Sequence, residues 1–219
     1  MFSSLALAAA LLTAQTDDYR AEWHREGELA IVLEISESGD VRGTDAEAGE
    51  QFYAKDGRLY LWTKGEDGHA LVDFELLNQL MLEQLGPWLE EMADGVTMPV
   101  IEIEAVGPAR VGRWEGTAYH TRPAMDDEAL VVSTDPELAP LGKALRESFL
   151  VAQLSSPLPG AQEAMAPLVA LFGTGTPLRL DGTELTTFET VDLPDTHFDL
   201  PATPLTLEET RDWMKKQGM

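Results

Sequence analysis

Residues 56–74 read DGRLYLWTKGEDGHALVDF, and the punctuation of this stretch decides the fold. Asp56-Gly57 and Asp67-Gly68 flank a run in which Leu59 and Leu61 alternate with Tyr60 and Trp62. Asp-Gly between apolar runs signals a hairpin, because a type I′ turn needs positive φ at both central residues. Upstream, Ser38-Gly39-Asp40 marks a further turn. Strands are expected over 19–25, 28–37, 41–46, 50–54, 58–64 and 69–74. In the second of these, Leu29, Ile31, Leu33 and Ile35 line one face. Short strands in succession build an antiparallel sheet. The 58–64 strand is apolar on both faces, so it is covered on both or faces a cavity on one.

The period then changes. Leu76, Leu77, Leu80, Met81, Leu85, Trp88, Leu89 and Met92 recur at helical spacing, predicting a helix over 75–92 with Asp73 as its cap. Gly86-Pro87 is expected to break or kink it. Strands resume at 98–106, 110–121 and 129–133. Asp135 and Pro136 open a helix reaching 155, and 161–172 forms another, interrupted by Pro167. Two strands, 178–180 and 184–191, straddle Asp181-Gly182. Thr206 and Glu209 have capping-box spacing before a short helix over 207–216. The order predicts an α+β fold: a curved antiparallel sheet, an unclosed half-barrel, with helices 75–92, 138–155 and 161–172 on its concave face. No linker divides the chain, so 15–219 reads as one domain.

The 219 residues carry 39 Asp and Glu against 15 Lys and Arg, a formal net charge of −24. Such a chain is repelled by nucleic acid and by anionic membrane surfaces. It has no Cys, hence no disulfide, thiolate metal site or lipid-bearing N-terminal Cys. Residues 2–14, FSSLALAAALLTA, are uncharged and end abruptly at Asp17-Asp18. At about thirteen residues the run is too short to span a bilayer and has the length of a signal-peptide core. It carries no Lys or Arg before that core. Residues 1–14 are therefore read as a signal peptide cleaved near Ala14, giving a periplasmic or secreted protein with no stable membrane span.

Chemistry-bearing patterns are sparse. His24, His69, His120 and His197 have no partners at metal-ligand spacing. The acidic groups at Asp17-Asp18, at Asp45, Glu47 and Glu50, and at Asp126-Asp127-Glu128 do not match a calcium loop. No GxSxG or SxxK motif occurs. Gly173-Thr174-Gly175 follows a helix and lacks a following Gly-Lys, so it reads as a helix end and not as a phosphate loop. No catalytic residue, metal site or cofactor is assigned. The aromatic residues Trp23, Tyr60, Trp62 and Trp114 all fall on expected strands. Each is a candidate lining for an apolar cleft, or ordinary core. Tyr60 and Trp62, two apart, must share one face, which is expected to be the one toward the helices.

Two segments carry a resemblance. Val111-Gly112-Arg113-Trp114-Glu115-Gly116-Thr117-Ala118-Tyr119 resembles a strand that recurs in a broad group of exported bacterial proteins of uncharacterised function. The stretch 184–202, with Phe198 and Pro201, resembles their C-terminal strand and its Phe-x-x-Pro ending. That group is similar in layout to the periplasmic lipoprotein carriers, whose fold is an unclosed antiparallel half-barrel with helices across its mouth. The resemblance implies fold more than function. The functional expectation is an exported, non-catalytic binding protein for an apolar or amphipathic, lipid-like ligand. The alternative is an envelope structural or protein-interaction domain whose core is filled and holds no ligand.

Overall fold

The structure is a computed structural model that describes residues 17–93, 99–123, 129–154 and 160–218. The expected signal peptide, the Asp126-Asp127-Glu128 group and most of the 155–160 loop lie outside these residues. The elements in chain order are β1 (Asp18–Arg25), β2 (Glu28–Ile35), β3 (Val41–Asp45), β4 (Gln51–Lys55), β5 (Arg58–Gly65), β6 (Gly68–Asp73) and α1 (Phe74–Ala93). There follow β7 (Glu102–Val111), β8 (Trp114–Arg122), β9 (Leu130–Ser133), α2 (Ala139–Leu154), α3 (Ala161–Phe172), β10 (Thr176–Leu180), β11 (Thr183–Val191) and α4 (Leu207–Lys216). All eleven strands form one open sheet in the order β6-β5-β4-β3-β2-β1-β11-β10-β9-β8-β7. Every neighbouring pair is antiparallel. The fold is α+β, with an antiparallel sheet that does not close.

Turn chemistry sets the register. Asp56-Gly57 and Asp181-Gly182 both have positive φ at each residue, as a type I′ turn requires. Glu26-Gly27 does the same between β1 and β2, where no Asp-Gly pair stands. Asp67-Gly68 departs from expectation: Gly68 pairs with Gly65, so it opens β6 and is not a central turn residue. Gly107-Pro108, read as a break between strands, is instead part of one ten-residue strand, with a bulge between Ala105 and Gly107. β7 is an edge strand, and Pro108 there forfeits no ladder bond that the sheet needs. α1 runs unbroken through Gly86-Pro87. Its start is as expected, since the Asp73 carboxylate accepts from the Glu75 and Leu76 amides at 2.9 and 3.4 Å.

Alternation assigns each side chain to a face. On one face a transverse row runs Phe188, Ala21, Leu33, Gly43, Phe52, Leu61, Val72. Leu138, Leu141 and Ala144, in α2 and the turn before it, join Ala21, Leu33, Val131, Leu178 and Leu185 in the main core. The opposite face carries the row Glu189, Arg20, Glu34, Arg42, Tyr53, Tyr60, Asp73. All four residues of β9 are buried, because both of its faces are covered. Val131 belongs to the α2 cluster, whereas Leu130 and Val132 pack with Leu168, Leu171 and Phe172 of α3. Along β9, then, the residue that packs with α2 alternates with residues that pack with α3, so these helices bury different parts of the sheet, and packing of all the helices on one concave face is not seen. The reason is that an eleven-stranded sheet has two apolar zones, and each must be buried by its own helix.

Candidate functional site

The polar row on the second face is where distant parts of the sequence converge. Glu34 sits in the middle of β2 and only 5% of it is exposed. Arg20 of β1 and Arg42 of β3 are its direct cross-strand neighbours. Arg20 donates to Glu34 Oε1 from Nε at 3.1 Å and from Nη2 at 2.6 Å. The second oxygen, Oε2, lies 2.6 Å from His197 Nε2. Arg42 Nη1 lies 3.0 Å from the same Nε2 and 3.4 Å from Nδ1 of the imidazole. Arg42 Nη1 is also 3.8 Å from Glu34 Oε2. Burial pushes the Glu34 carboxyl up, but hydrogen bonds from His197 and Arg20 outweigh it and hold it below its ordinary value. The bond to Glu34 raises Arg20 in return.

His197 arrives on the segment that follows β11. This segment passes from β1, in the middle of the sheet, to its β6 edge. The Leu193 amide donates to Asp18 Oδ2 on β1 at 3.1 Å. His197 meets β2 and β3. Lys55 of β4 donates to the Phe198 carbonyl at 3.3 Å and lies 3.6 Å from Asp199. Leu200 packs on a cluster of Tyr53, Tyr60 and Leu71, which Trp62 flanks. The Leu205 amide donates to the Leu71 carbonyl at 2.9 Å, on edge strand β6. The segment then enters α4 through a complete Thr206–Glu209 capping box. α4 is held by Arg211–Glu83 at 2.8 Å and Lys216–Asp67 at 2.6 Å. Residues 192–206 therefore form a strap across six strands.

The four aromatic candidates divide between the two faces. Trp23 and Trp114 are 5% and 3% exposed and belong to the α2 core. Arg113 lies over the Trp114 ring at 4.8 Å, and the indole N–H is buried without a hydrogen-bond partner. Tyr60 and Trp62 do share a face, but it is the strap face and not the one that α2 covers. Trp62 stacks on His69 with centroids 5.3 Å apart, and Arg58 lies over Tyr60 at 5.8 Å. The strand alternation made the Tyr60–Trp62 pairing readable. It could not reveal that Leu200 of a C-terminal strap packs on the cluster they form.

Sequence reasoning missed Glu34, Arg20 and Arg42. A signal existed: a charge at 34 interrupts Ala30 and Val32 on the minor face of an otherwise apolar strand. Nothing local marks His197. Chemically, the cluster is a clasp: each carboxylate oxygen is engaged, while Arg42 Nε is buried without a hydrogen-bond partner. It is built to hold a segment in place. A cleft of about 820 Å³ lies between the turns at 24–27 and 181–186, lined by His24, Arg25, Glu26, Asp181 and Glu184. No family model, no curated protein and no solved structure matches the chain.

Proposed function

We propose that this is an exported, non-catalytic protein-interaction domain whose core is filled by its own side chains. One observation carries the reading. On the α2 face, where a carrier would open its cavity, the space is occupied: Trp23, Trp114, Leu33 and Leu185 are buried against one another, and the Phe52 ring fills the room left by Gly43. A lipid-like ligand needs a concave apolar pocket. The rings that were candidates to line one are split between two faces, and two of them are core. That both oxygens of Glu34 are engaged by protein groups supports a non-catalytic role. No helix among the described residues is long and apolar enough to cross a membrane. The excess of acidic side chains suits a partner that presents basic or neutral surface.

Native mass spectrometry of the protein taken from its own host tests this. The expected spectrum shows a chain beginning near residue 15 with no lipid adduct, and a fluorescent fatty acid shows no saturable binding. A stoichiometric lipid mass, or one-to-one fatty-acid binding that Trp23→Ala abolishes, would overturn the filled-core reading and restore the carrier.

A further inference from the structure

We infer that residues 192–218, the strap together with α4, form a latch. They lift from the sheet as one unit while the eleven strands stay paired, and His197 is the catch. The latch goes beyond the interaction-domain reading and holds whether or not the core takes a ligand.

The chain order permits such a motion. All eleven strands and α1, α2 and α3 precede residue 192, so lifting the segment breaks no ladder hydrogen bond. No residue of the segment belongs to the α2 core or to the α3 cluster. Half-buried Leu200 is its one contribution to a core cluster among the described residues. Its buried side chains are Phe198, Thr210 and Met214. The other ties are polar and run from the Leu193 amide on Asp18 to Lys216 on Asp67. A segment with few buried apolar contacts lies at the low-stability end of a structure and opens ahead of the whole.

His197 is the catch because of what stays behind when it leaves. Glu34 is a charge buried on the sheet, and a buried charge left without a partner would oppose opening. It keeps its partners: Arg20 on β1 holds Oε1 through two bonds, and Arg42 is its neighbour on β3. His197 is the partner that departs, and its 2.6 Å bond to Oε2 is of the strong, charge-assisted kind.

Strap and α4 move together because each completes the other. Thr206 ends the strap and caps α4, exchanging hydrogen bonds with Glu209. A helix of ten residues is marginal in water by itself, so α4 keeps its form only while seated. Pro201 and Pro204 stiffen the link between His197 and that cap. Lifting the segment takes Leu200 off the Tyr53, Tyr60 and Leu71 cluster and frees the Leu71 carbonyl of β6. A covered sheet edge then becomes one open to strand pairing.

Native-state hydrogen exchange of the full-length protein in urea tests the latch. The Leu205 amide reports on the strap, the Met214 amide on α4 and the Leu33 amide on the sheet. Leu205 and Met214 should share one opening free energy and one urea slope. That slope should be shallower than the slope of Leu33, because less surface is exposed. His197→Ala should speed both latch amides about tenfold, the scale of a lost hydrogen bond to a charged group. Val131→Ala alters the α2 core on β9, away from the segment. It should speed Leu33 and leave both latch amides at their wild-type rates. Latch amides that exchange with the slope of Leu33, or that Val131→Ala speeds equally, overturn the inference, since the segment then opens only with the whole fold. Different slopes for Leu205 and Met214 overturn the single unit, and unchanged rates in His197→Ala overturn the catch. Should His197→Ala fail to fold, Glu34→Gln weakens the same bond and must speed both latch amides. Wild-type rates in that variant overturn the catch just as well.

Discussion

At Gly43 the apolar row on the α2 face of the sheet has a gap that Phe52 fills. A Cβ placed on Gly43 would lie 1.9 Å from Phe52 Cε1, closer than atoms can approach. Gly43→Ala should therefore push the ring out of the core and cost about 1–3 kcal/mol, as overpacking does. Phe52→Leu in the same chain should recover part of that loss in urea unfolding, since the two side chains share one space. Glu34 makes a different kind of prediction. Glu34→Gln removes the charge that Arg20 and His197 share and should cost about 1–3 kcal/mol at pH 7. Because the folded carboxyl sits below its ordinary value, its contribution is complete above the unfolded value of about 4.3 and is lost as pH falls through the folded value. The gap between wild type and Glu34→Gln, measured by denaturant titration, should thus shrink on acidification below about pH 4.3. A constant gap would mean that the clasp is held by packing and not by charge.

The two edges of the sheet are managed differently at the scale of elements. β6 is partly covered by the strap, whose Leu205 amide takes up the Leu71 carbonyl. β7 is long and exposed, with Val106 56% exposed at its bulge. Free edges recruit strands from other molecules, and proteins guard them with bulges, prolines and charges. β7 carries all three: the bulge at 105–107, Pro108, and Glu102 and Glu104. Pro108→Thr together with Glu104→Val should promote self-association, seen as a larger species in sedimentation velocity at raised concentration. A variant that stays at the wild-type size would show that the bulge alone protects the edge. The same logic explains the misread boundary at Gly107-Pro108. Gly-Pro ends most strands, but on an edge the missing amide proton costs no ladder bond.

Across the whole molecule, a net charge of −24 is a self-repulsion that the fold must withstand. Many of the ion pairs among the described residues are exposed, as in Arg122–Glu104 and Lys215–Asp212, and each of these is worth little. Screening should therefore relieve more repulsion than it removes attraction. The melting temperature is expected to rise between low salt and about 0.5 M NaCl, where the screening length falls to a few ångströms. A fall in melting temperature would place the net stabilisation in ion pairs and contradict this balance.

What the sequence determined by itself was local and periodic. Asp-Gly pairs with positive φ, the Asp73 cap, the Thr206–Glu209 box and the alternation of Tyr60 and Trp62 depend on neighbours within a few residues. The sequence states them directly. The antiparallel α+β class followed from their order. The tertiary structure alone decided which face each helix covers, which aromatic residues meet, and what lies over Glu34. His197 is 163 positions from Glu34 in the chain, and their 2.6 Å contact exists only because the strap that follows β11 passes over β1 to reach β2. No period or spacing encodes such a pairing. It is fixed by the burial of a charge on the sheet, which is stable only where opposite charge and hydrogen bonds are brought to it from elsewhere in the fold.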